Sequence, residues 1–191
     1  EEKTLALLSE EFGKIGLKPG NNRSWFQDVP LIEMTAKNIS TLSFTGGKTT
    51  VSAAYGPEMV INAYRATPRI DVKDSPVVFV GYGINAPEKG WNDYAGVDVK
   101  GKTVVILVND PDYETAGLEG PFNGRAMTYY GRWTYKYEEA ARQGAAAAII
   151  VHDTVPTAYG WNVVQSSNTG AQQLADSGGD TSQSPAVGWI Q

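Results

Sequence analysis

Cysteine is absent from the 191 residues. Neither disulfide staples nor thiolate metal sites are therefore available, and the redox compartment stays undetermined. Histidine occurs once, at His152, so no imidazole pair exists for a zinc centre and HExxH is missing. Positive charge is scarce. Sixteen Lys and Arg stand against 21 Asp and Glu, for a net charge of -5, which argues against a nucleic-acid surface. No apolar run approaches the roughly 18 residues that a membrane span requires. No leader peptide is present, and no N-cap precedes Glu1, so a native start further upstream is expected. GxGxxG, GxxxxGK[ST] and GxSxG are all missing, which disfavours nucleotide binding and leaves any serine nucleophile without its elbow. There are no internal repeats.

The 21 glycines and 10 prolines indicate many turns, hence a strand-rich architecture. The length fits one domain, or one domain with an appendage. The stretch around which the chain is organised is GRWTYKYEEAARQGAAAAIIVHD, Gly131 to Asp153. Trp133, Tyr137, Ala140, Ala141 and Gly144 recur at three- and four-residue spacing, which predicts one helical face. Lys136, Glu138, Glu139 and Arg142 are expected on the other. Gly144 suits a left-handed C-terminal cap. Ala145 to Val151 is an unbroken run of small and β-branched residues, as in a strand covered on both faces. Gly101 to Asp110 carries a second such strand. Strand, crossover with helix, strand predicts parallel pairing.

Elsewhere, Leu5, Leu8, Phe12 and Ile15 form the apolar stripe of an opening helix, closed by Gly16 and Pro19. Without a partner domain this stripe is expected to be partly exposed. Trp25 to Ala36 reads as a strand, with Pro30 marking an edge or bulge. Leu42–Phe44 and Thr49–Tyr55 flank Gly46-Gly47 as a hairpin. Met59–Tyr64 is a short strand or turn, Val77–Gly83 a strong strand, Trp161–Gln165 a possible short strand, and PAVGWIQ a final one. Asp110 to Tyr130 is a long irregular segment, of the kind that is usually functional or mobile. Ser167 to Pro185 is polar and expected to be exposed or mobile.

Each chemical signal has a plain structural alternative. His152 sits at the end of a strand, where α/β sites often open, but Asp153 beside it points to the opposite face. A structural or rim role is favoured over a small hydrolase site. Gly81 and Gly83 are read as a bulge or bend. Asp93, Asp98, Asp110, Asp112 and Glu114 could meet a hard cation, but their spacing fits no EF-hand, and turn carboxylates are favoured. Tyr129, Tyr130, Trp133, Tyr135 and Tyr137 are denser than a core needs. Tyr130, Arg132, Trp133 and Tyr135 are therefore candidates for contact with a substrate or partner. No residue is assigned as catalytic or as a metal ligand.

FVGYGINAPEKGWNDYAGVDVKGKTVVILVNDP followed by YYGRWTYKYEEAARQGAAAAIIVHD resembles the protease-associated (PA) domain inserted in bacterial zinc aminopeptidases of the glutamate-carboxypeptidase-like group. The likeness spans about Val72 to Val155 and continues more weakly to Ile190. LALLSEEFGKIGLKPG and SWFQDVPLIEM resemble the start of the peptidase domain in the same enzymes. The resemblance implies a strand-rich α/β fold: a PA-like curved or closed sheet with one main helix, plus an N-terminal helix. It divides the chain into residues 1–37, peptidase-like, and 38–191, PA-like. It implies a non-catalytic lid or substrate-access region, with zinc bound elsewhere in the parent and no cofactor in this chain. The implied partners are the peptidase domain of the same polypeptide and a peptide substrate, in a secreted or periplasmic setting. An independent peptide- or protein-binding module is the alternative.

Overall fold

A computed structural model describes residues 1–175 and 184–191. In chain order the elements are α1 (Glu2–Lys14), β1 (Leu31–Met34), β2 (Leu42–Phe44), β3 (Val51–Ala53), β4 (Met59–Asn62), β5 (Val77–Phe79), β6 (Asn85–Ala86), β7 (Trp91–Asn92), β8 (Thr103–Leu107), α2 (Trp133–Arg142), β9 (Ala147–Val151), α3 (Thr154–Thr157), α4 (Trp161–Asn168), β10 (Gln172–Ala175) and β11 (Ala186–Ile190). Part of the segment expected to be exposed across Ser167–Pro185 lies outside the described residues. The chain forms two compact units, Glu1–Leu31 and Ile32–Gln191.

In the first unit, Gly16 adopts φ 87° and the Leu17 N–H returns to the Phe12 carbonyl, ending α1 as its sequence dictates. Leu5, Leu8, Phe12 and Ile15 are 36, 44, 42 and 72% exposed, so the apolar stripe is open as expected. Phe12 and Trp25 make a tilted ring contact at 6.1 Å. The strand expected from Trp25 shrinks to Leu31–Met34, beginning directly after Pro30, which has no N–H to give a ladder.

The second unit is built on a five-stranded open sheet in the order β4-β11-β9-β8-β5. β5, β8, β9 and β11 run parallel, and β4 is antiparallel to β11. β8 and β9 pair in parallel from Thr103↔Ala147 to Leu107↔Val151, with α2 in the crossover, as the pattern predicted. β2 and β3 form the expected hairpin, β1 pairs with β10, and β6 with β7. On one sheet face, Val60, Val80, Val104, Ile106, Ala148, Ile150, Val187 and Trp189 meet Tyr137 and Ala140 of α2 and Val164 of α4 in the main core. Gly144 takes φ 79° after α2.

Three expectations need correction. The strand from Val77 stops at Phe79, because Gly81 and Gly83 take φ of 57° and 61° and turn the chain. At Gly83 an added Cβ would lie 2.9 Å from Ile106 Cγ2, so small size matters as well. Trp161–Gln165 is not a strand but part of α4. Trp161, Val164 and Asn168 share one helical face. They anchor it through Trp161 Nε1 donating to Gly56 O and Asn62 Nδ2 donating to Asn168 Oδ1, and this tertiary gain overrides the β-propensity of Val163 and Val164. The third correction concerns α2. Lys136 and Glu139 lie on its buried side, together with Tyr135, Tyr137 and Ala140, for the reasons given below.

Candidate interaction surface

The Asp110–Tyr130 segment contains no strand, yet it is pinned at both ends. Asp110 is wholly buried and accepts from Thr128 N–H at 2.7 Å and Thr128 Oγ1 at 2.9 Å, closing the segment into a loop. Burial raises the pKa of its carboxyl, while these donors and the Lys136 charge oppose the rise. Lys136, also wholly buried, rises from α2 and donates to Tyr82 O at 2.6 Å and Asn109 O at 2.9 Å. One amine thus ties α2 to the turn after β5 and to the end of β8. Burial lowers its pKa to about 7, against the pull of Asp110 and Asp93. The α-helical stripe gave no sign of this, because an i, i+3 count treats lysine as outward.

The middle of the loop is held by Phe122, which is fully buried. It joins Ile84, Ala86 and Tyr135 in a second hydrophobic cluster, rimmed by Tyr82, Trp91 and Tyr130. Its ring meets Trp91 and Tyr130 edge-on at 5.5 and 5.8 Å, a favoured aromatic geometry. Lys89 Nζ donates to the neighbouring Pro121 carbonyl. Asp112 Oδ2 accepts from Phe122 N–H at 2.9 Å. Phe122 was not singled out in the sequence; one aromatic in a glycine-rich segment carries no periodic signal.

The four contact candidates divide on exposure. Tyr135 is buried, its hydroxyl donating to Asn85 O and accepting from Asn85 N–H, and burial raises its pKa to about 12. It therefore backs the surface rather than forming it. Tyr130 is half-buried; its ring packs on Tyr135 at 4.9 Å and its hydroxyl donates to Glu88. Trp133 is half-buried, stacked on Tyr64 at 6.2 Å. Arg132 alone of the four is exposed. Tyr129, 54% exposed, donates to Glu138. Tyr129, Tyr130 and Arg132 thus stand just ahead of α2, with both tyrosine rings packed on Tyr135.

His152 is buried and ringed by Tyr159, Trp161 and Trp189, with centroids 5.6 to 6.3 Å away. Its Nε2 lies 3.1 Å from the Tyr159 carbonyl, an acceptor only, so this nitrogen carries the proton. Asp153 caps α3 through Val155 N–H. Nearby, a cavity of about 440 Å³ opens at the ends of β8 and β9, lined by Tyr82, Tyr113, His152, Asp153 and Pro156. The parallel strands β5, β8, β9 and β11 are laid down in one direction, so among the described residues they hold no switch point of the usual α/β crevice. Among the other acids, Asp93 accepts from Ile84 N–H and Trp91 Nε1, Asp98 from Lys100 N–H while pairing with Lys102, and Glu114 from Tyr113. Among the described residues no three His, Asp or Glu side chains gather as metal donors. With the one imidazole committed to a carbonyl, this donor set does not fit a zinc centre. No helix of the described residues is long and apolar enough to cross a membrane.

A family model described as the PA domain matches residues 65–189. No curated protein matches the chain. Among solved structures, the aminopeptidase from Aneurinibacillus sp. strain AM-1 is similar at 20% identity and a TM-score of 0.36, over 98% of this chain and 32% of that one. The chain thus spans about a third of that structure's length.

Proposed function

We propose, because the chain belongs to the PA domain family, that it serves a zinc-dependent aminopeptidase as its non-catalytic lid, biasing substrate access beside a metal-binding part supplied by other polypeptide. The observation that carries this is the use made of the reactive groups. His152 is enclosed by aromatic rings and bonded to a carbonyl, Asp110 closes a loop, and Lys136 joins three elements. Each of these groups is spent on holding shape, which supports a covering module over a hydrolase. The surface it offers is Tyr129, Tyr130 and Arg132. The partners are the peptidase domain and its peptide substrate, in a secreted or periplasmic setting.

The test is direct. The purified chain with added zinc is expected to release no product from aminoacyl-p-nitroanilides above the rate of buffer with zinc. Turnover that depends on His152 would return the chain to the hydrolases. The exposure of Arg132 favours a second role, that of an independent peptide-binding module. In that case unstructured peptides would bind the isolated chain saturably, and Arg132→Ala would abolish binding.

A further inference from the structure

The cavity of about 440 Å³ at the ends of β8 and β9 has a lining of two kinds. Leu107, Val151 and Pro156 make part of it apolar, while Tyr82 and Tyr113 bring aromatic rings and Asp153 a carboxylate. Among the described residues no Lys or Arg lines it. Asp153 is exposed, and its Oδ1 accepts from Val155 N–H as the cap of α3, which leaves Oδ2 for another donor. Glu114 adds charge beside the lining, since the Tyr113 hydroxyl donates to its Oε1 at 3.1 Å. Burial raises the Tyr113 pKa first, then the bond and charge of Glu114, then Tyr82 and Asp153, so both carboxylates act on one ring. Lys136 Nζ also lies 5.7 Å from the Tyr82 ring centroid. It is wholly buried, however, and bonded to two carbonyls, and Asp110 and Asp93 offset its charge.

Apolar walls with a few convergent polar groups, at this volume, are the usual make-up of a small-ligand site. Carboxylates beside two tyrosine rings select a cation, because a ring face attracts positive charge. A bare metal ion is poorly served, since among the described residues no three carboxylates or imidazoles gather. We propose that the cavity takes the basic side chain of a peptide, lysine or arginine. Its methylene stem lies along Leu107, Val151 and Pro156, and its charged head meets Asp153 Oδ2 and the Tyr82 and Tyr113 rings. Stem and head thus match the two halves of the lining. The net charge of -5 adds a favourable field. This chain alone makes the cavity, so the inference does not rest on the lid reading.

Amide NMR shifts of the complete 191-residue chain test it, in titrations with Nα-acetyl-lysine amide, Nα-acetyl-arginine amide and Nα-acetyl-norleucine amide. The first two are expected to move the amides of Tyr82, Tyr113 and Asp153–Val155 saturably, with dissociation constants of about 1 mM. Norleucine, which keeps the stem and lacks the charge, is expected to bind at least about tenfold more weakly. Asp153→Asn keeps the α3 cap, because asparagine caps as well as aspartate. It is expected to weaken the lysine compound about tenfold. No saturable shift up to about 20 mM overturns the proposal, as does equal binding of norleucine. Shifts centred on Tyr129–Arg132, or an affinity unmoved by Asp153→Asn, overturn it too. Should Asp153→Asn fail to fold, Tyr113→Leu decides. Loss of the ring is expected to weaken the lysine compound about threefold, and an unchanged affinity overturns the proposal.

Discussion

The two hydrophobic clusters of the larger unit are built by different rules. The main core draws on β4, β8, β9 and β11, where alternate residues fall on one face, and it is closed by α2 and α4. The second cluster draws Ile84, Ala86, Phe122 and Tyr135 from a turn, a two-residue strand, a loop and a helix. The first is mostly β-branched and small, with Tyr94, Tyr137 and Trp189 among its members and the Tyr137 hydroxyl donating to Gly188 O. The second is aromatic, and its rim ends in hydroxyls that must be paired, as Tyr130 is with Glu88 and Tyr135 with Asn85. Periodic packing fixes a sheet, whereas capped aromatics fix a loop. Lys136, on α2, belongs to neither cluster and is tied instead to the Tyr82 and Asn109 carbonyls.

Breaking the first cluster should unfold the molecule, and breaking the second should only free the loop. Gly188→Ala is the harshest case. An added Cβ would collide with the Val60 carbonyl oxygen between β11 and β4, and a loss above about 4 kcal/mol is expected, read as a lowered urea midpoint. Lys136→Ala leaves the Tyr82 and Asn109 carbonyls without their donor and is expected to cost about 3 kcal/mol in the same measurement. Phe122→Ala should also cost about 3 kcal/mol locally. Its signature differs: amide exchange quickens across residues 112–128 while β8 and β9 stay protected. Equal quickening in both regions would show that the clusters are one. Tyr130→Phe, losing only the bond to the exposed Glu88, should shift stability by about 0.5 kcal/mol.

A pH series isolates the lysine. Its folded pKa of about 7 lies below its ordinary 10.5. Below pH 7 both folded and unfolded chains hold the proton, and the full penalty of burying the ammonium applies. Between pH 7 and pH 10 the unfolded chain binds the extra proton, so stability rises with pH in that window. The urea midpoint of the native chain should therefore climb relative to Lys136→Met. Parallel slopes for the two proteins would mean that the buried amine keeps its proton.

The main core was largely legible from residue order. The runs Thr103–Leu107 and Ala147–Val151, with a helix between them, announced a parallel pair. The hairpin around Gly46-Gly47 and the closing strand were equally plain. Less legible were the places where one side chain acts over a long sequence separation. Trp161 reaches Gly56, and that reach converts an apparent strand into α4. Lys136 reaches Tyr82 and Asn109, and that reach turns a polar position inward. Of the surface candidates, the aromatic density was visible, but which rings form the base and which the rim depends on hydroxyl partners 42 and 50 residues away. No local pattern encodes such distances.

The seat of β11 has a consequence for how the molecule is made. β11 enters between β9 and β4 rather than at a margin, so until Ala186–Ile190 has been synthesised, β4 lacks its only strand partner among the described residues and β9 has an open flank. The nascent chain can close its βαβ half early but must wait for Ala186–Ile190 to unite the sheet. Cleavage between β10 and β11 would leave β11 held in the sheet only by its pairing with β9 and β4.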